Sequence, residues 1–591
     1  MRRIVSLVLL FAAVLLGACD IGGSSNSNNV NNGGVSKPSN AIEVSIIYAP
    51  ESALYMPDVI NAFNTAYASG KNPLSGQPLA SGEKPIYVTD LTNGKGGSSG
   101  TVTDGIVNAI IAPNNSNVAR PVIFEPSVSH WLALANYKSG RQIFDLSQAQ
   151  ATALAGVVMA IWQSRLDAIR KTIGSQDVGV EDLLNVLKSP NGWQDYGIAG
   201  GRRTVYYGHT DPNISSTGLS MLIAEFYASA RGNGFTGRRL TMDQVNDQKV
   251  QDGVRQIEEL IRHYSSRTTE FKEYIAQGPD YLDFVALEEN DLIFINEGKT
   301  QYKPPEKLVA LYPKEGTFWH EHPFGIVNAD WTTQEQRDAA AVFTKYVLTP
   351  DVQKQIMAQG FRPANPDVKL EYPFVEANGV TVEGPKTILD VPAPDVVAAI
   401  QQSWSFVKKQ ADIMLLFDTS GSMSQDNKLE QAKQAALAFL DKMSPNNRVG
   451  MARFSNDVEV QIPLTNYETV STRIKGYIQS LRADGGTELY MAVRDIVNQM
   501  NQETDENRIR AVVLLSDGAD TGDQGVTLND AIQAINASRE SLNPVIFIPV
   551  AYGSDADVDK LNSLARASAT KVQSGDPQNI LSVLQIISSY F

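Results

Sequence analysis

The stretch Asp418-Thr-Ser420-Gly-Ser422-Met closes the apolar run ADIMLLF, and two more polar stretches share its chemistry: Thr487 in GGTE, and Asp517 directly after IRAVVLLS. All five side chains offer oxygen. Two carboxylates and three hydroxyls suit a hard divalent cation, Mg2+ or Mn2+, better than zinc, because no sulfur or imidazole is offered. Buried carboxylates so placed, with no cation, would repel each other. Gly421, Gly485 and Gly486 permit turns tight enough to carry the hydroxyls inward. Turn chemistry at strand ends also favours serine and aspartate, yet it does not require the whole set. The residue types therefore predict a metal site of Asp418, Ser420, Ser422, Thr487 and Asp517.

A second group of polar residues lies in the first half. Glu51 and Ser52 follow IEVSIIYAP, Ser98 and Ser99 follow PIYVTDLT, and Glu125 and Ser127 end ARPVIFEPS. Small polar residues after successive strands are what a small-molecule cleft needs, although helix capping favours serine as well. Ser215, Ser216 and Thr217 open the helical pattern NISSTGLSMLIAEFYASARG. Free backbone N–H groups and the helix dipole attract anions there, while at least one of the three is expected simply to cap the helix. His320-Glu-His322 has metal-ligand residue types, but one residue of spacing in a loop fits surface or hydrogen-bonded histidines better.

These residues need elements to hold them. Strand and helix patterns alternate from Ile42 through ARPVIFEPS, which implies a parallel sheet with right-handed crossovers. Residues 42–370 read as one two-lobed α/β region, with one lobe from 42–127 plus 305–370 and the other between. Residues 371–410 begin proline-rich and become helical, with Val396, Ile400 and Trp404 on one face, so they are expected to dock as a semi-rigid connector. From Ala411 onward, near-continuous apolar strands alternate with amphipathic helices, which predicts a doubly wound α/β domain over 411–591. RVGMARFS and VEVQIPLT are joined by a short turn, so the second should be an antiparallel edge strand.

The element order of the first region, with YGHTDPNISSTGL, LYPKEGTFWHEHPFGI and YVLTPDVQKQIMAQGFRPAN, resembles two-lobed extracellular solute-binding proteins. That resemblance implies two lobes closing over a ligand across a hinge. The Asp-x-Ser-x-Ser stretch, the distant threonine and the distant aspartate resemble the metal-ion-dependent adhesion site of von Willebrand factor A-type (VWA) domains. It implies ligation by Ser420, Ser422 and Thr487, with Asp418 and Asp517 acting largely through water. One coordination position would then stay open for a carboxylate of a partner protein.

At the amino terminus Arg2 and Arg3 precede an apolar run, Ile4–Leu16, too short for a stable span, which reads as a secretory signal over 1–18. Leu16-Gly-Ala-Cys19 resembles the lipobox of bacterial lipoproteins, where the cysteine is acylated; Cys19 is the only cysteine of the chain. Residues 19–41 would then be the lipidated cysteine and a flexible tether, poor in large apolar groups. The 591 residues carry 50 basic and 65 acidic side chains, a net −15, which argues against nucleic acid or anionic lipid as main partners. No nucleophile with a base and an orienting acid beside it is legible, so the chain reads as a non-enzyme. Two functions compete: an anchored protein whose metal site captures an acidic residue of another protein, and a receptor delivering a small-molecule solute to a permease.

Overall fold

The computed structural model describes residues 35–574, apart from 115–117, 200–204, 262, 266, 280, 442, 506–507, 523, 540–542, 554–555, 569 and 571. The expected signal, Cys19 and most of the tether lie outside the described residues, as do residues 575–591. Among the described residues no helix is long and apolar enough to cross a membrane.

The first lobe is built on a five-stranded sheet. Ile42–Tyr48 pairs in parallel with Ile86–Asp90 on one side and with Ile123–Glu125 on the other, as the alternating pattern requires. Pro323–Ile326 returns antiparallel beside Ile123–Glu125, and Gln150–Ala151 completes the edge. Helices Ser99–Ile111 and His130–Ser139 follow the second and third of these strands in sequence.

The second lobe centres on Ala153–Trp162, a ten-residue strand buried along nearly its whole length. It pairs antiparallel with Phe284–Glu288, Leu308–Leu311, Trp319–His320 and Arg362–Pro363. The sequence-based lobe boundary is therefore corrected. Residues 305–320 belong to the second lobe; the chain returns to the first lobe between His320 and Pro323 and crosses to the second again before Arg362. Residues 371–389 also pack on this lobe: Ala310 N–H donates to Gly379 O and Leu389 N–H to Thr317 O. The connector is thus confined to about Asp390 onward. Its helix, Pro394–Val407, starts on a proline at its first turn and buries Val396, Ile400 and Trp404, the expected face. It packs against His130–Ser139 of the first lobe and against helices Ser216–Gly232, Met242–Asn246 and Gln248–Glu258 of the second.

The C-terminal sheet runs in the order Val458–Asn466, Arg448–Phe454, Ala411–Asp418, Ile509–Ser516, Val545–Ala551, Gln573–Ser574. Every pairing is parallel except the first, where Val458–Asn466 forms the antiparallel edge. Ala411–Asp418 and Ile509–Ser516 are buried at every position because helices cover both faces. The described residues are thus α/β: a two-lobed region followed by a doubly wound domain.

Candidate functional site

At the carboxyl edge of the C-terminal sheet three loops are tied together by their backbones. Gly421 N–H donates to Gly485 O at 3.0 Å, and Asp484 N–H donates to Thr419 O at 2.7 Å. Thr487 N–H donates to Thr521 Oγ1, while Thr521 N–H returns to Thr487 O, both at 3.0 Å. The loops carrying Asp418, Ser420 and Ser422, Thr487, and Asp517 therefore meet at one rim. Gly485 holds φ +85°, and a Cβ there would lie 2.9 Å from the Asn456 amide, so this turn needs glycine.

Asp418 ends its strand fully buried. One carboxylate oxygen accepts from Ser420 N–H at 2.9 Å and the other from the Ser516 hydroxyl at 2.6 Å. The Ser420 and Ser422 hydroxyls lie 3.0 Å apart. Burial, opposed by the Ser420 and Ser516 hydrogen bonds and reinforced by the charge of Asp517, pushes the Asp418 carboxyl up to about 6. Two buried carboxylates in mutual repulsion, with hydroxyls beside them, form an oxygen donor set that fits a small hard cation. The Lys428 ammonium, also buried, lies 3.2 Å from Asp517 Oδ2. Sequence reasoning missed Lys428 and Ser516. The lysine sits at the start of the helix Lys428–Asp441, where a charged residue looks like ordinary helix surface.

Between the lobes the cleft is shut. Glu51, Ser99, Ser127, Ser215 and Ser216 line one cavity with Ser98, and its volume of about 10 Å3 holds roughly one water. The lobes touch across it: Ser216 Oγ donates to Ser99 Oγ at 3.1 Å, Trp131 Nε1 donates to Ser216 Oγ at 2.9 Å, and Gly100 N–H donates to Ile214 O at 3.1 Å. Ser98 Oγ is buried with no hydrogen-bond partner. Ser215 caps its helix by accepting from Gly218 N–H. Arg267 and Thr268, which the sequence did not single out, complete the wall. Three helices begin there, Ser99–Ile111, Ser216–Gly232 and Thr268–Ile275, so the positive ends of three helix dipoles meet at the cavity. Burial, with help from Glu288 and Asp291, pushes Glu51 up to about 8, so the one carboxyl on the wall holds its proton at neutral pH.

Ser52, Glu125 and Thr217 do not line this cavity, which corrects their assignment to the cleft. Thr217 accepts from Thr268 Oγ1 at 3.2 Å behind the wall. Ser52 donates to Glu125 Oε1 at 2.7 Å, inside a buried polar chain. His322 Nδ1 meets Glu125 Oε1 at 3.1 Å and its Nε2 meets Glu288 Oε2 at 3.3 Å. His320 joins Glu288 Oε1 at 2.7 Å through Nδ1 and Ser220 Oγ at 2.9 Å through Nε2. Both histidines are thus hydrogen-bonded, as expected, but in the interior rather than at the surface. The side chains need partners there because an unpaired buried carboxylate is costly.

Residues 123–381 match the model of the bacterial extracellular solute-binding proteins, and residues 412–583 match that of the von Willebrand factor type A domain. The inter-alpha-trypsin inhibitor heavy chain H4 of Bos taurus is 31% identical over 146 residues, which is 23% of this chain and 15% of that protein. The calcium-activated chloride channel regulator 1 of Bos taurus is 28% identical over 137 residues, 22% of this chain and 15% of that one. The chain thus spans 15% of the length of each. A periplasmic thiamin binding protein aligns over 63% of this chain and 96% of its own, at 11% identity and a TM-score of 0.40. A von Willebrand factor type A structure from Catenulispora acidiphila aligns over 31% and 42%, at 19% identity and a TM-score of 0.27.

Proposed function

Because the chain joins a bacterial solute-binding-protein region to a von Willebrand factor type A domain, we propose that it is an extracytoplasmic, lipid-anchored, non-enzymatic receptor whose C-terminal domain captures a partner protein through a metal ion. Mg2+, or Mn2+ in its place, would be held by the Ser420, Ser422 and Thr487 hydroxyls, with Asp418 and Asp517 balancing its charge. The ion supplies one electrophilic position to which a carboxylate of the partner can bind. The chain's own residues do the rest: Ser516 orients Asp418, Lys428 steadies Asp517, and the loop carrying Gly485 closes the rim. The observation that carries this reading is the backbone tie between the three donor loops at one sheet edge.

The test uses the full-length chain. Calorimetry with Mn2+ should show one site that Asp418→Ala removes, and surface proteins retained in Mg2+ should be released by a chelator. Retention that ignores both the chelator and Asp418→Ala would reject metal-dependent capture.

A second reading is favoured by the interlobe cavity. Three helix amino termini and Arg267 give its wall a positive character, which the neutral, protonated Glu51 does not offset. That suits a small solute with an anionic group, admitted when the lobes part, and on this reading the C-terminal domain would be accessory to delivery of the solute to a permease.

A further inference from the structure

Beneath the connector helix lies a set of ligating groups that neither the sheet-edge site nor the cleft uses. His209 comes from the strand Tyr207–Thr210, Glu225 from the helix Ser216–Gly232, and Glu258 from the last turn of the helix Gln248–Glu258. One ligand atom of each lies within 4.8 Å of the others, and His209 Nε2 is 3.8 Å from Glu225 Oε1. None of the three residues is more than 3% exposed. Both His209 nitrogens, both Glu225 oxygens and Glu258 Oε1 have no hydrogen-bond partner. Glu258 Oε2 accepts from the Tyr264 hydroxyl at 2.7 Å. From the connector helix, Trp404 stacks on the His209 ring with centroids 5.3 Å apart.

We propose that His209, Glu225 and Glu258 bind one divalent first-row transition ion, zinc foremost, as a clamp under the connector helix. One imidazole and two carboxylates suit zinc, whereas an all-oxygen set would suit magnesium. Zinc bonds of about 2.0–2.2 Å set ligand atoms about 3.4 Å apart, so side-chain movements of less than about 1 Å close the set. The His209 ring, with neither nitrogen hydrogen-bonded, has a lone pair free for a metal in its neutral form. The Tyr264 hydroxyl fixes the Glu258 carboxylate, the kind of outer contact that orients metal ligands. Without an ion the alternative is a proton shared between Glu225 and Glu258, and the experiment separates the two.

The full-length chain is unfolded and refolded in excess Mg2+, which fills the sheet-edge site, with added Zn2+. Loosely held metal is removed by desalting. Elemental analysis should find one zinc per chain, and zinc X-ray absorption should show one imidazole among oxygen ligands. Glu225→Gln, close in shape to the parent, should lower retained zinc at least tenfold. No retained zinc, zinc ligated by oxygen alone or by several imidazoles, or zinc unchanged by Glu225→Gln would each overturn the proposal. None of these readouts depends on whether the sheet-edge site captures a partner.

Discussion

His322 shows what one buried side chain demands of its neighbours. Burial works against its charge, but hydrogen bonds to Glu125 and Glu288 overcome this and raise it to about 10 from its ordinary 6.5. Burial opposes the charge of Glu288 as well, yet His320 and His322 hold that carboxyl down at about 2 from 4.5. The sign of the pH effect follows. A raised histidine contributes fully below about 6.5 and loses its contribution as pH climbs through about 10, while the Glu288 contribution fails only as pH falls through about 2. Glu51, raised to about 8, acts in the same sense as His322 between about 4.5 and 8, since the folded chain keeps a proton that the unfolded chain releases. Hydrogen exchange of Ile123–Glu125 and Phe284–Glu288 should therefore show stability falling from pH 6.5 to 10. His322→Gln should cost about 3–5 kcal/mol at pH 6, as expected when one member of a buried pair is removed, and should flatten that slope. An unchanged slope in the variant would mean that the charge of His322 does not hold the strands. The sequence displayed this histidine but not its partners: Glu125 and Glu288 lie on distant strands, and only folding makes them neighbours.

At the scale of elements, the strand-end polar residues were legible because each interrupts an apolar strand just before a helix, the place where parallel sheets put their ligands. Arg267 and Thr268 were not, because the strand before them, His263–Ser265, is too short to show a period. The lobe boundary was misjudged for a related reason: Leu308–Leu311 and Trp319–His320 are short segments recruited by one long strand, and nothing local says which sheet will take them. The centre of the doubly wound domain was legible, since strands such as Ala411–Asp418 and Ile509–Ser516 are continuous apolar runs, whereas the two-residue edge Gln573–Ser574 was not. How the two lobes meet depends on the first turn of the helix Ser99–Ile111. A Cβ on Gly100 would lie 1.9 Å from Asn213 O and 2.9 Å from the Trp131 ring, which no side-chain rotation relieves. Gly100→Ala gains slightly in helix propensity, so any effect reads lobe contact rather than helix loss. The variant should populate an open form with a larger radius of gyration by small-angle scattering. Any thermal stabilisation of the parent by sulfate or phosphate should weaken in the variant. Scattering identical to the parent would show that the lobes do not close through this contact.

The whole molecule is joined by one helix. Pro394–Val407 touches the first lobe through His130–Ser139 and the second through three helices, then hands over after Lys408, Lys409 and Gln410 to the strand Ala411–Asp418 that ends at the candidate sheet-edge site. A continuous apolar cluster runs from Trp131 and Phe226 through Ile400, Trp404 and Val407 into Ile413, Leu415 and Phe417. Each large side chain buried in this seat contributes about 1.5–3 kcal/mol, enough to fix the helix when both lobes are in place. Because the seat spans both lobes, opening the cleft must remove part of it. A ligand that favours closure should therefore also favour the seated connector, and anything that reads the connector should in turn alter affinity in the cleft. Gly100→Ala tests this without knowledge of the solute. In the opened variant, amide exchange should quicken across Pro394–Val407 and at the start of Ala411–Asp418, while Val545–Ala551, remote from the junction, keeps the parent's rate. Trp404→Ala should quicken the same amides with the lobes still closed, which separates loss of the seat from loss of closure. If scattering shows the Gly100→Ala lobes parted and the connector exchanges as in the parent, the two halves are mechanically independent and the sheet-edge site cannot sense the cleft.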